Sequence, residues 1–242
     1  MSKLELSQFT YQALQVVSFY SGVHFSAAKL LPLVLSELND QLGGDPVSLP
    51  LPADAPAEIP RIILSSKDKT LRMQISPLRV DLRWEAVSDV PVQIHQVCDL
   101  ARKGFSVFSR ATNAKPTRLA LVVTRYHPTQ NPAALLASHF CRPEFLVNLP
   151  EHKAALARPE NFELHAHKIT DLGQFRVNSW IRFKSANLQR GPKSDRIILV
   201  EQDLNTATQA KDNEFDLDRM SEFHKLCMPE FDNILRLYIS PE

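Results

Sequence analysis

The sequence predicts an α+β fold: a mostly antiparallel, curved sheet built by two similar β-α-βββ-α halves, with the helices packed on one face. Three observations point there. Residues 61–84 and, later, 175–186 alternate apolar and polar side chains with a period of two, the pattern of half-buried strands. Residues 91–110 and 216–238 instead carry apolar side chains at offsets of three and four, the stripe of a helix lying on a sheet. The order strand, helix, three strands, helix runs twice, over 1–114 and again over 115–242, and the two halves are expected to fuse into one domain. Residue identity between the halves is not evident, so the repetition is one of architecture.

The first half opens with Leu14, Val16, Val17, Phe19, Tyr20 and Val23, a β-branched and aromatic run that predicts a strand over 10–25. Ser26 offers an N-cap hydroxyl, and Leu30, Leu31, Val34, Leu35 and Leu38 follow at helical spacing. Gly43 and Gly44 are expected to supply left-handed residues that end this helix. Pro32 fits its first turns or marks its true start. Residues 45–60 then hold Pro46, Pro50, Pro52, Pro56 and Pro60, too closely spaced for a helix or an inner strand, which predicts an exposed loop of extended character. The basic flanks that many Pro-rich groove ligands use are missing there.

In 61–84, Leu71, Met73 and Ile75 alternate with Arg72 and Gln74, and Val80, Leu82 and Trp84 alternate with Arg79, Asp81 and Arg83. One face is core and the other is wet. The connections SKDKT and SP are short and polar, which predicts an antiparallel meander. The helix after it presents Ile94, Val97, Cys98, Ala101, Phe105 and Phe108.

The second half begins with TRLALVVTRY, apolar on both faces and hence a central strand. Asn131 and Pro132 read as cap and first position of a helix, and a further helical stretch is predicted over 143–156. Strands follow over 162–170, 175–186 and 196–204. In the middle one Phe175, Val177, Ile181 and Phe183 point inward while Arg176, Asn178, Trp180, Arg182 and Lys184 point outward. Asp216 or Asp218 caps the last helix, whose stripe is Met220, Phe223, Cys227, Phe231, Ile234, Leu235 and Tyr238 with Pro229 inside it.

Composition sets bounds on function. The 242 residues carry 28 Lys and Arg against 27 Asp and Glu, so no global field steers nucleic acid, anionic membrane or acidic substrate, and such binding needs a local patch. Three cysteines without C-x-x-C spacing argue against a disulfide framework and a zinc knuckle, and fit a reducing cytoplasm. The opening MSKLELSQFTYQALQ has no secretory pattern, and no run approaches the ~18 apolar residues of a membrane span, so a soluble cytoplasmic chain without membrane contact is expected.

The chemistry-bearing patterns are few. Arg176, Arg182 and Lys184 around Trp180 are what a sheet surface offers to phosphates and stacked bases, with Arg190, Lys193 and Arg196 in the turn beyond them. The alternative is a solvated or partner-covered face. His165 and His167, two apart on a strand, project to one side as metal ligands can, but spacing selects no third ligand. No G-x-S-x-G and no phosphate-cradling glycine motif is present, and Cys141 and Cys227 read as small core residues. Asp203 reads as a turn-initiating residue. No cofactor is called for.

The strand–helix opening, RIILSSKDKTLRMQISPLRVDLRW, TRLALVVTRY, IILVEQDLNT and a closing helix ending ILRLYIS together resemble a sporadically distributed, functionally uncharacterised family of bacterial proteins of about this length. The resemblance spans nearly the whole chain and implies a bacterial origin. The family's arginine–tyrosine pair falls on Arg125 and Tyr126, followed here by His127 and Pro128 in place of an aliphatic residue and an asparagine; the resemblance carries that pair over as candidate binding residues.

The sequence thus leads to a non-enzymatic binding or adaptor protein acting through contacts with another protein chain or with itself. Nucleic-acid binding on the strand face of Arg176, Trp180, Arg182 and Lys184 is the second expectation, and an enzyme of unrecognised type the third.

Overall fold

A computed structural model describes residues 4–52, 54–87, 93–142, 146, 159–190, 192–207 and 214–239. After a 3-10 turn at Leu6–Gln8, the first half contains β1 (Thr10–Phe19), α1 (Ala27–Leu38), β2 (Val47–Ser48), β3 (Ile62–Ser65), β4 (Leu71–Ile75), β5 (Arg79–Glu85) and α2 (Ile94–Thr112). The second contains β6 (Arg118–Pro128), α3 (Pro132–Phe140), β7 (Glu163–Leu172), β8 (Phe175–Arg190), β9 (Lys193–Thr206) and α4 (Leu217–Tyr238). Strand, helix, meander, helix therefore occurs twice, with the two-residue β2 as an extra edge.

These nine strands form one antiparallel, open and curved sheet in the order β2-β3-β4-β5-β1-β6-β9-β8-β7. Each half contributes its first strand to the middle, so β1 and β6 pair as a seam, with Val16 opposite Leu121, and the meanders fan out on either side. A bulge between Tyr11 and Ala13 adjusts that seam near its end.

Alternation decides which face is covered. Leu14 and Val16 of β1, Met73 and Ile75 of β4, Leu121 and Val123 of β6, and Val177, Ile181 and Phe183 of β8 are buried together against Leu38 of α1, Phe105 and Phe108 of α2, Leu136 of α3 and Phe223 and Phe231 of α4. One apolar cluster thus runs through both halves. Each large side chain in it contributes about 1.5–3 kcal/mol by leaving water. Gly104 lets α2 settle directly on Met73, whose Sδ would lie 3.0 Å from a Cβ added there.

Several boundaries differ from the pattern-based expectation. β1 stops at Phe19, because the chain turns through Gly22 at φ +83°. α1 ends at Asn39 in right-handed conformation, and Gly43 and Gly44 are not left-handed caps. They serve close approach instead: Gly44 N donates to Ser65 O at 2.9 Å, and a Cβ there would lie 2.7 Å from that oxygen. Pro32 lies within α1. β8 and β9 run on to Arg190 and Lys193, longer than expected. The helix predicted over 143–156 lies outside the described residues, apart from 146. Asp216 does cap α4, accepting from Arg219 N at 2.8 Å.

Candidate functional site

Among the described residues the helices cover one face, and strand residues of the other parity form a broad surface that none of these helices covers. The register lays them out in rows. One row reads Arg72, Arg83, Gln15, Val122, Asp203, Trp180 and His167 from β4 to β7. Asp203 is therefore in mid-sheet on this surface, not at a turn; burial pushes its carboxyl up, partly offset by the amide of Asn205, which donates to it at 2.9 Å.

The second-half part of the surface holds the predicted basic and aromatic residues. Trp180 is half-buried and has two close neighbours: His167 stacks on it at 4.1 Å between ring centroids, and the Arg182 guanidinium lies 5.0 Å from its ring centre. Arg182 Nη1 meets Glu201 Oε1 at 2.5 Å, and Arg176 is 3.9 Å from Asp171. Arg118 lies over Phe19 and donates to Asn205 Oδ1 at 2.8 Å. Lys184 is half-buried on the same face. Arg176, Arg182 and Lys184 are thus brought together on one face, and the two arginines each lie near a carboxylate.

His165 and His167 do share this face. His165 Nε2 approaches Glu163 at 3.5 Å, whereas His167 is engaged with Trp180. Among the described residues no group of three or more His, Cys, Asp or Glu is placed to hold a metal ion.

Arg125 and Tyr126 lie elsewhere. Arg125 is 1% exposed, on the helix-covered side, where Nη2 donates to Tyr11 Oη at 2.6 Å and to Asp232 Oδ1 of α4 at 2.5 Å. Its plane stacks on the Tyr11 ring at 4.4 Å. Burial pushes the Tyr11 hydroxyl up. Nearby, Gln202 donates to the Phe231 carbonyl at 2.7 Å. These side chains fasten α4 to the sheet. Tyr126 is also buried, so neither residue offers a surface to a ligand.

The first-half part of the surface is a groove of about 960 Å³ that the sequence pattern alone did not single out. Its floor includes Gln15, Arg72, Gln74, Asp81 and Arg83; the 43–47 segment and the turn at Lys67, Lys69 and Thr70 form its sides. Asp81 is 3% exposed, held by Arg79 Nε at 3.0 Å and Gln15 Nε2 at 3.2 Å. Burial pushes its carboxyl up despite Arg79 and Gln15. A signal for the groove existed: the alternation and short turns of 61–84 already place Arg72, Arg79 and Arg83 side by side. Chemically, the groove presents five Lys and Arg with neutral donors and three carboxylates, of which Asp81 is shielded.

No family model matches the chain, and a search of curated proteins gives no match. The functional reading therefore rests on the geometry and charge of the helix-free face.

Proposed function

We propose that the protein is a non-enzymatic binding protein whose helix-free sheet face docks another protein chain. The observation that carries this reading is the state of Trp180. An aromatic ring in contact with an imidazole and a paired guanidinium, half-buried on the strand next to the sheet edge among charges of both signs, has the composition and rigidity of an interface anchor. Arg182 and Arg176 already have carboxylate partners and His167 occupies one face of the indole, which leaves little free charge or ring surface for phosphates and stacked bases. Those pairings favour a protein over a nucleic acid. All three cysteines are free, which supports a reducing, cytoplasmic setting, and no helix among the described residues is long and apolar enough to cross a membrane.

Tagged chain purified from its own cells, with wild type and Trp180→Ala compared by quantitative mass spectrometry, tests the reading. A partner held by wild type and depleted at least tenfold by the variant, at unchanged melting temperature, supports it. A self-associated chain would appear as excess untagged copies of itself. Salt-sensitive binding of a labelled single-stranded oligonucleotide at about 50 mM salt, abolished by Arg182→Glu, would replace it with the nucleic-acid reading.

A further inference from the structure

We propose that the first-half groove is a receptor for an acidic, extended peptide segment of the partner, read by Arg72, Arg83, Lys67 and Lys69. This rests on the reading of the helix-free face as a docking surface and names the chemistry that one part of it takes.

The first ground is a placement that the fold does not require. Arg72 and Arg83 are direct cross-strand partners in β4 and β5, both exposed and on the same face. Like charges directly opposite one another destabilise a sheet, so this pair weakens the scaffold unless an anion lies between them. Internal compensation is partial and falls on Arg83 more than on Arg72. Arg83 reaches Glu85 at 2.5 Å, an exposed pair. Gln74, with its amide oxygen turned toward Arg72, accepts from Nη2 at 3.1 Å and Nε at 3.2 Å, which holds the guanidinium in place, and the buried Asp81 carboxylate offsets its charge only in part. Arg72, Lys67 and Lys69 have no carboxylate within ion-pair distance among the described residues. Three cations without an ion pair among the described residues thus face one groove.

Shape and lining select the ligand. At about 960 Å³ the groove is at the upper end of ordinary ligand pockets, room for several residues of extended chain and far more than one small anion fills. Five Lys and Arg line it against three Asp and Glu, and of these three Asp81 is buried and held by Arg79. Among the described residues no aromatic side chain lines it, so a nucleotide would find phosphate contacts there but no ring on which to stack its base. Carboxylates on an extended peptide project to one side every second residue, about 6.6–6.8 Å apart, while Arg72 and Arg83 on neighbouring strands start about 5 Å apart and can splay to meet two of them. Guanidinium forks bind carboxylates through paired hydrogen bonds, which gives the arrangement specificity as well as attraction.

Fluorescence anisotropy with a fluorescein-labelled hexapeptide of alternating Glu and Ser tests this on the full chain. Saturable binding is expected at about 50 mM salt, weakened several-fold by about 500 mM salt because exposed ion pairs are screened. It should fall at least tenfold in the double variant Arg72→Glu, Arg83→Glu and be unchanged in Lys225→Glu, an exposed α4 position remote from the groove. Arg72→Gln provides a check independent of refolding: it should lower affinity at least threefold while leaving the melting temperature equal or higher. Absence of saturable binding, equal binding by the double variant, or displacement of the probe by inorganic pyrophosphate more readily than by unlabelled peptide would overturn the proposal. A partner held through Trp180 by a protein that ignores the peptide would leave the docking face standing and remove the groove's role; peptide binding with no Trp180-dependent partner would do the reverse.

Discussion

The two halves share an element order and a sheet, yet they place their polar groups on opposite sides of it. In the second half, Arg125 and Gln202 lie beneath α4, and His224 of α4 is buried against α2 near Arg102 and Asp99, while the open face is largely charge-matched through Arg182 with Glu201 and Arg176 with Asp171. The first half keeps few polar groups on its covered side among the described residues, with the Ser18 and Tyr20 hydroxyls as a small buried network, and leaves Arg72, Lys67 and Lys69 on the open side without an ion pair among those residues. One architecture thus supports two uses of polarity: in one half it fixes a helix, in the other it faces outward to be met by something else.

The largest test of this contrast is acid. Burial holds the His224 imidazole down to about 4, against 6.5 for an ordinary histidine, and its Nε2 has no hydrogen-bond partner among the described residues. Above pH 6.5 both folded and unfolded chains are neutral there and nothing is lost. As pH falls from 6.5 toward 4 the unfolded chain takes up a proton that the folded one refuses, so stability should drop by an amount on the order of 3 kcal/mol from this residue alone. Urea unfolding at pH 7, 5.5 and 4 should show that loss in wild type and a shallower one in His224→Leu; parallel curves would mean that the imidazole is not shielded.

Next comes the ion pair under α4. Asp232→Ala strands the Arg125 charge. Because the Asp232 side chain is 45% exposed, the cost should fall to about 2 kcal/mol, below the 3–5 kcal/mol typical of fully buried pairs. Adding Arg125→Met should recover most of it in the same measurement, since the charge is then gone. A smaller effect is expected at Gly104 in the first half. Gly104→Ala gains about 1 kcal/mol of helix propensity and pushes only into the flexible end of Met73, which can swing aside at a cost of about 1 kcal/mol, so the melting temperature should change little.

The last effect is also small and bears most directly on the contrast. Arg72→Gln should stabilise by a few tenths of a kcal/mol by removing a like-charge pair, whereas Arg182→Gln should destabilise by about 0.5 kcal/mol through loss of Glu201. Equal signs for the two would show that the open faces do not differ as described.

Much of the fold was legible because it is written locally. The period of two in Leu71–Ile75 and Arg79–Glu85, and the stripe of α2, need only neighbouring residues to be recognised, and the apolar TRLALVVTRY does lie in the sheet centre as β6. The site was legible only in part. In a strand apolar on both faces, nothing local tells which way Arg125 points, and its partner Asp232 is 107 positions away. Trp180 and Arg182 could be assigned to an outward face, but the carboxylate that quenches the Arg182 charge comes from β9 and is not marked as its partner by any local pattern. The groove is hard to see in sequence for a related reason. Cations cluster more densely in the second half, whereas a surface is distinguished by the charge left after pairing.

The β1–β6 seam has a further consequence. If the halves opened about the short 113–117 link, each would expose a long central strand with its backbone ladder unpaired, and another molecule in the same condition would offer the complementary ladder in the correct register. Two chains could then exchange halves and recover every contact without inventing one, so concentrated or partly unfolded preparations should contain interlocked pairs that separate only as slowly as the seam itself comes undone.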